Sequence, residues 1–312
     1  MKTFVTRHID VSFSLGSTSF ENSNTVVRVE GLRIFAKITS RTEGVHQLEA
    51  EIYGLSPDVI KRIIGGRQMN ISAPWFNPDN SIKLEIYTSD NPTKFCLVNG
   101  SIFAAVADFN AVPEVPLRIT ASETTLQQAK PITPRTFSGA AKVADIMTYL
   151  AGQIGSALEN NGVDDSFILR DHTVQGSAIE AVEMTANAAD IDWAFRNEGT
   201  VNDKSTGNVL IICKKGTPRS VPMIEIHEAS GLVGYPVMGG AVNVTCLFNP
   251  QYWLLNRVKL FANKEQSVLN GIYQINSVDH EITSEAPDGQ WVSHLTLGWL
   301  PNENQKTEGE TK

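Results

Sequence analysis

Two histidines near the C-terminal end of the chain are the side chains best suited to chemistry. They lie in the segment LNGIYQINSVDHEITSEAPDGQWVSHLTLGWL, residues 269–300, where two alternating stretches flank a loop rich in Ser, Glu, Pro, Asp and Gly. This pattern predicts a β-hairpin. Such a hairpin could bring His280 and His294 face to face as a catalytic or metal-binding pair, or it could close the wall of a structural β-barrel.

The residues beside His280 favour the structural interpretation. Neighbours on a strand point to opposite faces, so Asp279 and Glu281 share a face that His280 does not, and the three cannot converge on one metal ion. The zinc motif HExxH is absent because Ser284 stands where the second histidine is required. His294 could pair with His280 across the hairpin, but two histidines without a carboxylate make an incomplete site. We therefore predict no metal site.

The serines, glycine pairs and aspartate pairs of the sequence do not form a reactive site either. No G-x-S-x-G motif is present, and the serines of GQIGSALE and VQGSAIE stand at helix starts, where capping accounts for them. The glycines of IIGG and VMGGAV lack the GKS or GKT ending of a phosphate loop. Four aspartates lie in polar connections, where aspartate commonly serves turns: Asp164, Asp165, Asp190 and Asp192. We predict a structural protein without catalytic residues or cofactors, and not an enzyme.

Two alternatives with a ligand stay open. A hydrolase of cell-wall peptidoglycan or polysaccharide could use Glu228, Asp288 or His280 as acid or base, because the separation of two carboxylates cannot be read from a sequence. A carbohydrate-binding module is the other alternative, although the exposed aromatic cluster that such modules usually carry is not evident in the sequence.

The composition is that of an ordinary globular protein with an acidic balance. A length of 312 residues suggests two or three folding units, and the net charge of −8 argues against a surface that grips nucleic acid. Cys96, Cys213 and Cys246 lie far apart in apolar settings and are predicted to be buried thiols. No signal-peptide pattern and no apolar run near the roughly 18 residues of a membrane span is found. We expect a soluble protein made in a cytoplasm.

Hydrophobic periodicity divides the chain into three folded regions. Residues 1–123 alternate with a period of two and predict a first β domain, a β-barrel or sandwich with one short helix. The proline-containing segment 124–139 is predicted as a linker. Residues 140–216 predict a small α/β domain, and residues 217–300 return to strands as a second β-barrel domain. The polar tail 301–312 is predicted to be disordered.

Helices are predicted at three places. Ser56 can cap and Pro57 can begin a short helix, which Gly65 can end. In the middle region, Ser177 and Glu180 form a capping box that opens one helix. Apolar residues at helical spacing mark another helix of roughly four to five turns there: Val143, Ile146, Met147, Leu150, Ile154 and Leu158. The predicted fold class is mainly β with an α/β insertion, in which two β-barrel domains flank a small α/β domain.

Several segments resemble the hub proteins of tailed-phage baseplates. The stretch EASGLVGYPVMGGAVNVTCLFNPQYWLLNRVKL, residues 228–260, resembles a hub segment in which a turn leads into a strand ending in Asn-Pro. Residues 269–297 resemble the next hub hairpin, with G-x-Y-x-I-x-x-V-x-H running out and G-x-W-x-x-x-L running back. GSAIEAVEMTANAADIDWAF is similar to the small α/β module of these hubs, and VVRVEGLRIFAKI to their first tube-like barrel.

The resemblance implies a structural function. Hub proteins of this family, which is related to the hub part of contractile injection systems, form a trimeric ring with two tail-tube-like barrels in each subunit. That ring joins a hexameric tail tube to a trimeric spike around a channel for DNA. The hub part of a secretion-system spike is the alternative within this class.

The same resemblance implies partners and a location. The partners are further copies of the chain, the spike or puncturing protein, the tail tube or its initiator, and other baseplate subunits, while DNA passes through the lumen without specific binding. The location is the virion baseplate, assembled in the host bacterial cytoplasm. No membrane-spanning segment is expected.

A few side chains receive structural tasks in this picture. Trp291 and Trp299 are eight residues apart and are expected to share one face of a strand, in a buried or interface role. Tyr273 is expected to anchor a barrel wall. Three carboxylates are named as candidates for the lining of the channel: Asp108, Glu114 and Glu85.

Overall fold

A computed structural model describes residues 5–15, 25–42, 46–64, 80–123, 131–197, 200–201, 204–205, 208–262 and 268–300. The first region contains seven of the strands, in which buried apolar residues alternate with outward polar ones. These strands are β1 (Arg7–Ser14), β2 (Val26–Val29), β3 (Ile34–Arg41), β4 (His46–Ile52), β5 (Ser81–Thr88), β6 (Phe95–Ala107) and β7 (Leu117–Ser122).

Helix α1 (Pro57–Ile63) lies between β4 and β5, as the sequence predicts. The Ser56 hydroxyl accepts a hydrogen bond from the Val59 amide at 3.4 Å, which satisfies one of the free amides of the first turn. Gly65, which is predicted to end this helix, lies outside the described residues. A short 3-10 helix, Phe109–Ala111, follows β6.

The middle region is an α/β unit built around a three-stranded sheet. Its helices are α2 (Val143–Ile154) and α3 (Ala178–Ala189), and the capping box of Ser177 and Glu180 begins α3. Its strands are β8 (Arg135–Lys142), β9 (Ser156–Asn161), β10 (Ile168–Val174), β11 (Ile191–Asn197), β12 (Thr200–Val201), β13 (Lys204–Ser205) and β14 (Asn208–Lys214). The central strand β14 is buried on both faces, which explains its continuous apolar run. None of the helices within the described ranges is long and apolar enough to cross a lipid bilayer.

The last region returns to strands and joins the sheet of the first region. Its strands are β15 (Ile224–Ile226), β16 (Leu232–Met238), β17 (Val242–Leu247), β18 (Arg257–Leu260), β19 (Gly271–Ser284) and β20 (Trp291–Trp299). Strand β19 joins the regions because it pairs with β18 in its first half and with β3 in its second half. The strands of both regions thereby form one sheet of thirteen strands. The fold class, mainly β with an α/β insertion, is confirmed. Within the described residues no strand pair closes this sheet into a barrel.

The two β regions repeat one strand order, which the sequence does not reveal. The first runs β3–β4–β7–β6–β5–β1 and the second runs β16–β17–β20–β19–β18–β15. The strand directions agree except in the last pair, which is antiparallel for β5–β1 and parallel for β18–β15. A β-bulge falls at the same place in both: Phe103 is skipped where β6 pairs with β7, and Asn276 where β19 pairs with β20. We call these regions the first and second β units.

The hairpin β19–β20 contributes to the hydrophobic cores of both β units. Ile282 and Trp291 lie in the core of the first unit, together with residues of β1 and β3 to β7. Val278 and Leu295, from the same two strands, lie in the core of the second unit. The base of the hairpin therefore lies in its own unit, and the residues next to its turn lie in the other unit.

Three elements differ from the sequence prediction. Helix α2 ends before Gly155, which has a left-handed φ of 76°, so Leu158 lies on strand β9 and not on the helix. The end of the predicted linker 124–139 forms part of β8, whose side chains are mostly exposed and show no apolar period; residues 124–130 lie outside the described part. The turn that the hub resemblance implies within residues 228–260 falls at Gly234 and Pro236, but both residues lie on the bulged edge strand β16.

The position of Ile282 gives a stability prediction. Ile282→Ala should lower the free energy of unfolding by about 2–5 kcal/mol, because it leaves a cavity in the core of the first unit. Val292→Ala, a truncation on the outward face of the same hairpin, should cost less than about 1 kcal/mol. Urea unfolding of both variants checks this. Equal losses would show that the hairpin does not complete the first core.

Candidate functional site

The two histidines of the hairpin lie on opposite faces of the sheet. His280 is completely buried, and its Nδ1 is 2.8 Å from the Ser293 hydroxyl directly across the ladder. His294 points outward, where its Nδ1 lies 3.1 Å from the Thr245 hydroxyl and its Nε2 lies 4.0 Å from Glu281. The face-to-face pair considered from the sequence is therefore not formed, because the hairpin register alternates the two rings.

A second buried histidine, which the sequence analysis missed, lies in a row with a serine and a carboxylate. The Ser40 hydroxyl is 2.7 Å from His46 Nδ1, and His46 Nε2 is 3.5 Å from Glu123 Oε2. The Asn99 amide donates to the other oxygen of Glu123 at 3.0 Å. The three side chains are of the types found in a hydrolase catalytic triad and contact one another in the same order. The serine is 0% exposed, however, so no substrate can reach its hydroxyl. The register of β3 with β4, which pairs Ser40 with His46, is the signal that could have identified this row.

The carboxylates suggested as acids or bases are exposed and separately placed. Glu228 begins a short 3-10 helix, Glu228–Ser230, beside β16, and Asp288 lies in the loop between β19 and β20. His280, the third candidate, is buried in the sheet. These three side chains are not brought together in any pocket of the described residues.

The paired aspartates have local structural partners. Asp164 accepts hydrogen bonds from the amide and hydroxyl of Ser166, as expected for a turn, and Asp165 forms an ion pair with Lys142. Asp190 ends α3 in a left-handed conformation. Asp192 is the exception to the turn prediction, since it lies on β11. Within the described ranges, no three His, Cys, Asp or Glu side chains are grouped so that they could hold a metal ion.

The three cysteines are buried free thiols, as predicted. Burial raises the pKa of Cys213 to about 12 and that of Cys246 to about 11, so both thiols are protonated and unreactive at neutral pH.

The segment before β18 attaches the α/β unit to the β units. Trp253, Leu254 and Leu255 pack against the outer face of the β11–β14 pair and form a separate apolar cluster. The Trp253 ring lies 4.7 Å from the His46 ring, and the Arg196 guanidinium lies 5.1 Å from the Trp253 ring centroid. One tryptophan therefore contacts side chains of both the α/β unit and the first β unit.

An ion pair with a buried arginine supports the same junction. Arg219 is 3% exposed, and its guanidinium donates two hydrogen bonds to the carboxylate of Glu159 on β9. It also contacts Asn256 Oδ1 at 3.4 Å. Burial raises the pKa of Glu159, but the hydrogen bonds from Arg219 and Asn161 outweigh this, and the pKa lies below its ordinary value.

The outward face of the continuous sheet carries charged side chains across both units. Arg41 donates to both oxygens of Asp279 at 2.8 and 2.9 Å, which is a bidentate pair across the β3–β19 ladder. Lys37 lies 3.6 Å from Glu281 across the same ladder. Burial raises the pKa of Asp279, but the hydrogen bond from Arg41 reverses this and holds the pKa below its usual value. The charges on this face are thus paired strand to strand.

A broad groove of about 580 Å³ lies on this polar face. It crosses strands β19, β3, β4 and β7 and the loop before β20, and therefore spans the joint between the two units. Its lining includes Phe35, Lys37, Glu51, Arg118, Glu281 and Asp288. We call the outward side of these four strands, together with that loop, the polar face.

The carboxylates named from the sequence as channel candidates do not lie together on this face. Glu85 is 7% exposed and forms an ion pair with Lys83, so it cannot line an open surface. Asp108 caps the 3-10 helix after β6, and Glu114 contacts Arg33. The acidic residues of the polar face are instead Glu49, Glu51, Asp279, Glu281 and Asp288. The strand register determines which carboxylates lie on this face, and that register could not be predicted from the sequence.

The aromatic residues of the hairpin divide between core and rim. Trp291 is buried, and Tyr273 is also buried, with its hydroxyl donating to the Leu269 carbonyl at 2.9 Å. Both agree with the structural tasks predicted for them. Trp299 lies on the same face of β20 but is 49% exposed at the end of the strand, beside Tyr273.

Three solved structures share this fold. The tail protein of Neisseria meningitidis MC58 aligns with 95% of this chain and 99% of its own, with a TM-score of 0.56 and 8% identity. The 43 kDa tail protein of prophage MuSo2 from Shewanella oneidensis aligns with 93% of this chain and 98% of its own, with a TM-score of 0.54 and 9% identity. The E. coli c3393 protein is a type VI secretion component similar to the T4 tail proteins gp27 and gp5. It aligns with 86% of this chain and 76% of its own, with a TM-score of 0.56 and 10% identity. The fold is that of a phage tail protein, which secretion systems share.

The family follows from the sequence itself. No curated protein sequence is significantly similar to this chain. The family model of the baseplate hub gp41 proteins, however, matches residues 9–291, which include both β units and the α/β unit. The chain belongs to the baseplate hub gp41 family, and the resemblance to phage baseplate hubs is confirmed.

The buried histidines give a prediction for the pH dependence of stability. Burial lowers the pKa of His46 to about 3 and that of His280 to about 4. Between pH 6.5 and about 4 the unfolded chain gains protons that the folded chain excludes. Stability should therefore fall as the pH falls through this range, by about 1.4 kcal/mol per pH unit for each histidine. Urea unfolding measured from pH 7 to pH 4 gives the slope.

The variant His280→Gln should remove about half of this slope. His294→Gln, which removes a histidine from the outward face of the same hairpin, is the matched control. A slope that is unchanged in His280→Gln would contradict the assignment of the acid sensitivity to the buried ring.

Proposed function

We propose that this protein is a structural hub of a phage baseplate: three copies form a ring that adapts a hexameric tail tube to a trimeric spike, with a channel for DNA. The observation that carries the proposal is the repeated β unit within one chain. Two equivalent units share one sheet and one polar face. Three such chains would present six equivalent units to a sixfold tube and three identical chains to a threefold spike.

The polar face supports the assignment of the channel wall. It is continuous across the joint of the two units, and its charges are acidic in excess, since Glu49, Glu51, Asp279, Glu281 and Asp288 face Lys37, Arg41 and Arg118. Most of the basic groups are held by acidic neighbours; Arg118, for example, lies 2.8 Å from Glu51. A wall with few free cations would let a polyanion slide, because binding to DNA depends on Lys and Arg that displace its counterions.

The proposed partners are the tail tube or its initiator, the spike, other baseplate subunits and two further copies of the chain. The proposed location is the virion baseplate, after assembly in the host cytoplasm. The division into residues 1–123, 140–216 and 217–300 is proposed as the domain organisation, with a connection at 124–139 whose last residues belong to β8. A structural role without catalysis is part of the proposal, and the burial of the Ser40–His46–Glu123 row supports it.

The hub part of a secretion-system spike is the second candidate. It is favoured by the likeness to the E. coli type VI secretion component, which is as close in TM-score as the Neisseria tail protein. The two candidates share the ring and differ in what continues from it, a phage tail or a secretion tube.

The ring gives a prediction for the assembly state. Native mass spectrometry of the purified protein, alone and mixed with its candidate spike protein, should detect a species of three chains under at least one condition. The closed threefold ring would bury sheet edges that a single chain leaves open. The absence of a three-chain species under both conditions would overturn the proposed hub.

The channel wall gives a prediction about charge. Glu49→Lys with Asp288→Lys should make the assembled ring bind double-stranded DNA with an affinity that falls steeply between about 50 and 200 mM salt, while the parent protein should not bind. Glu183→Lys with Glu228→Lys makes the same change of charge away from the polar face and is the control. Fluorescence anisotropy of a labelled duplex measures both. Equal binding by the two variants would show that the polar face is not the DNA-facing wall.

A further inference from the structure

The two β units differ at one end of their strands, although their strand order is the same. This end holds the start of β6 and the end of β7 in the first unit, and the start of β19 and the end of β20 in the second. Counting back from the bulge in each unit, Trp299 takes the position of Glu123, and Tyr273 takes that of Gly100. What covers this end in one unit can therefore be compared with what covers it in the other.

In the first unit this end is closed by a tryptophan from the segment before β18. The Glu123 carboxylate lies 3.5 Å from His46, and the Trp253 ring lies 4.7 Å from the His46 ring. Trp253 is itself only 4% exposed, because the α/β unit packs on its other side. A large apolar side chain, delivered by a neighbouring element, therefore seals this site.

In the second unit the equivalent site is an open groove. It has a volume of about 260 Å³, and its described lining contains no charged side chain. The Tyr273 ring is buried beside Trp299, at 5.1 Å and edge-on. Three lining side chains are 49–79% exposed: Met238, Val268 and Trp299. We call this site the Trp299 groove, bounded by Met238, Val242, Val268, Tyr273 and Trp299. Exposed apolar surface of this kind is typical of a site that another protein covers.

The size and lining of the Trp299 groove indicate what it can bind. Small-molecule sites usually have volumes of about 300–1,000 Å³ and a few precisely placed polar groups, whereas this groove is smaller and uncharged. One large apolar side chain suits it better. Trp253 shows that an indole ring is accommodated at the equivalent site of the first unit. Aromatic side chains in apolar pockets commonly supply much of the binding energy of a protein interface.

The number of grooves indicates the symmetry of the partner. A ring of three chains would contain six sites of this kind, of which three are closed by Trp253 and three are open Trp299 grooves. A sixfold tail tube requires six like contacts, whereas a threefold spike requires three. The groove therefore matches a threefold partner and not a sixfold one.

We propose that each Trp299 groove of the ring binds one large apolar side chain from one of the three chains of the spike. The inference rests on the hub proposed above and deepens it by naming the surface that holds the spike. It assigns the end of β20 to the spike side of the ring, and the opposite end of the strands to the tube side. Trp299 would gain in this complex the interface role expected from the sequence.

A substitution at the rim of the groove tests the surface. Val268 is 79% exposed, so Val268→Asp should fold normally but place a charge in the contact. The affinity of the hub for its candidate spike protein, measured by biolayer interferometry, should fall at least tenfold. Val112→Asp makes the same change at a side chain that is 71% exposed in the loop after β6, at the other end of the strands, and should keep the parent affinity. Thermal unfolding establishes that both variants are folded.

A cysteine at the same position reports the contact locally. The native cysteines are buried free thiols, so Val268→Cys adds one accessible thiol. The reaction of this thiol with N-ethylmaleimide should slow at least tenfold when the spike protein is added, and should not change when the tail tube protein is added. Val112→Cys is the control and should react at the same rate with and without the spike protein.

The outcomes separate this surface from the proposed function. A three-chain hub that binds the spike equally well with and without Val268→Asp would overturn the surface and leave the hub standing. Loss of the three-chain species in Val268→Asp without the spike would show that the groove lies between copies, which also overturns the surface. Protection of the thiol by the tail tube protein would overturn the assigned orientation. A parent protein that neither forms a three-chain species nor binds the spike would overturn both proposals.

Discussion

The antiparallel ladder between β3 and β19 is the contact on which the rest of the structure depends. It joins strands from the two ends of the chain, and it makes one sheet from two β units. Its inward side chains are packed into the cores, and its outward side chains form the ion pairs of Arg41 with Asp279 and of Lys37 with Glu281. The backbone hydrogen bonds of this ladder make the sheet continuous across the two units. The outward ion pairs, which water partly screens, contribute little stability but make the surface polar and charged. Packing and surface chemistry are therefore fixed by a single register.

The same register explains why the two histidines of the hairpin are not brought together. An alternation of two places His280 among apolar neighbours and His294 in solvent, so the two rings cannot act together. The Ser40–His46–Glu123 row is closed off by the core and by Trp253. Buried imidazoles in such a place are neutral and form hydrogen bonds to neighbouring strands. They lower the free energy of unfolding only at acidic pH, where protonation would place a charge in the core.

Local patterns predicted the elements well, and long-range pairing could not be predicted. The capping box at Ser177 and the alternation in β3 and β4 are signals within a few residues, and they located their elements correctly. The ladder between Ala36 and Ile282 joins residues nearly a whole chain apart, and no local pattern encodes it. The shared strand order of the two β units could not be predicted for the same reason. The units have the same strand order and bulge position, but no repeated sequence pattern marks them. The polar face could be identified only once that order was known.

The hairpin β19–β20 has a consequence for the synthesis of the chain. Ile282 and Trp291 complete the core of the first unit, yet they are translated long after the other residues of that core. A nascent chain must therefore hold an unfinished apolar interior until β19 and β20 leave the ribosome, and folding is dominated by distant contacts, which slows it. A truncated product released early would expose that interior and be a target for proteases or chaperones. Only chains that include this hairpin would then be able to join the proposed ring, where a chain with an incomplete core would disrupt the contacts of its neighbours.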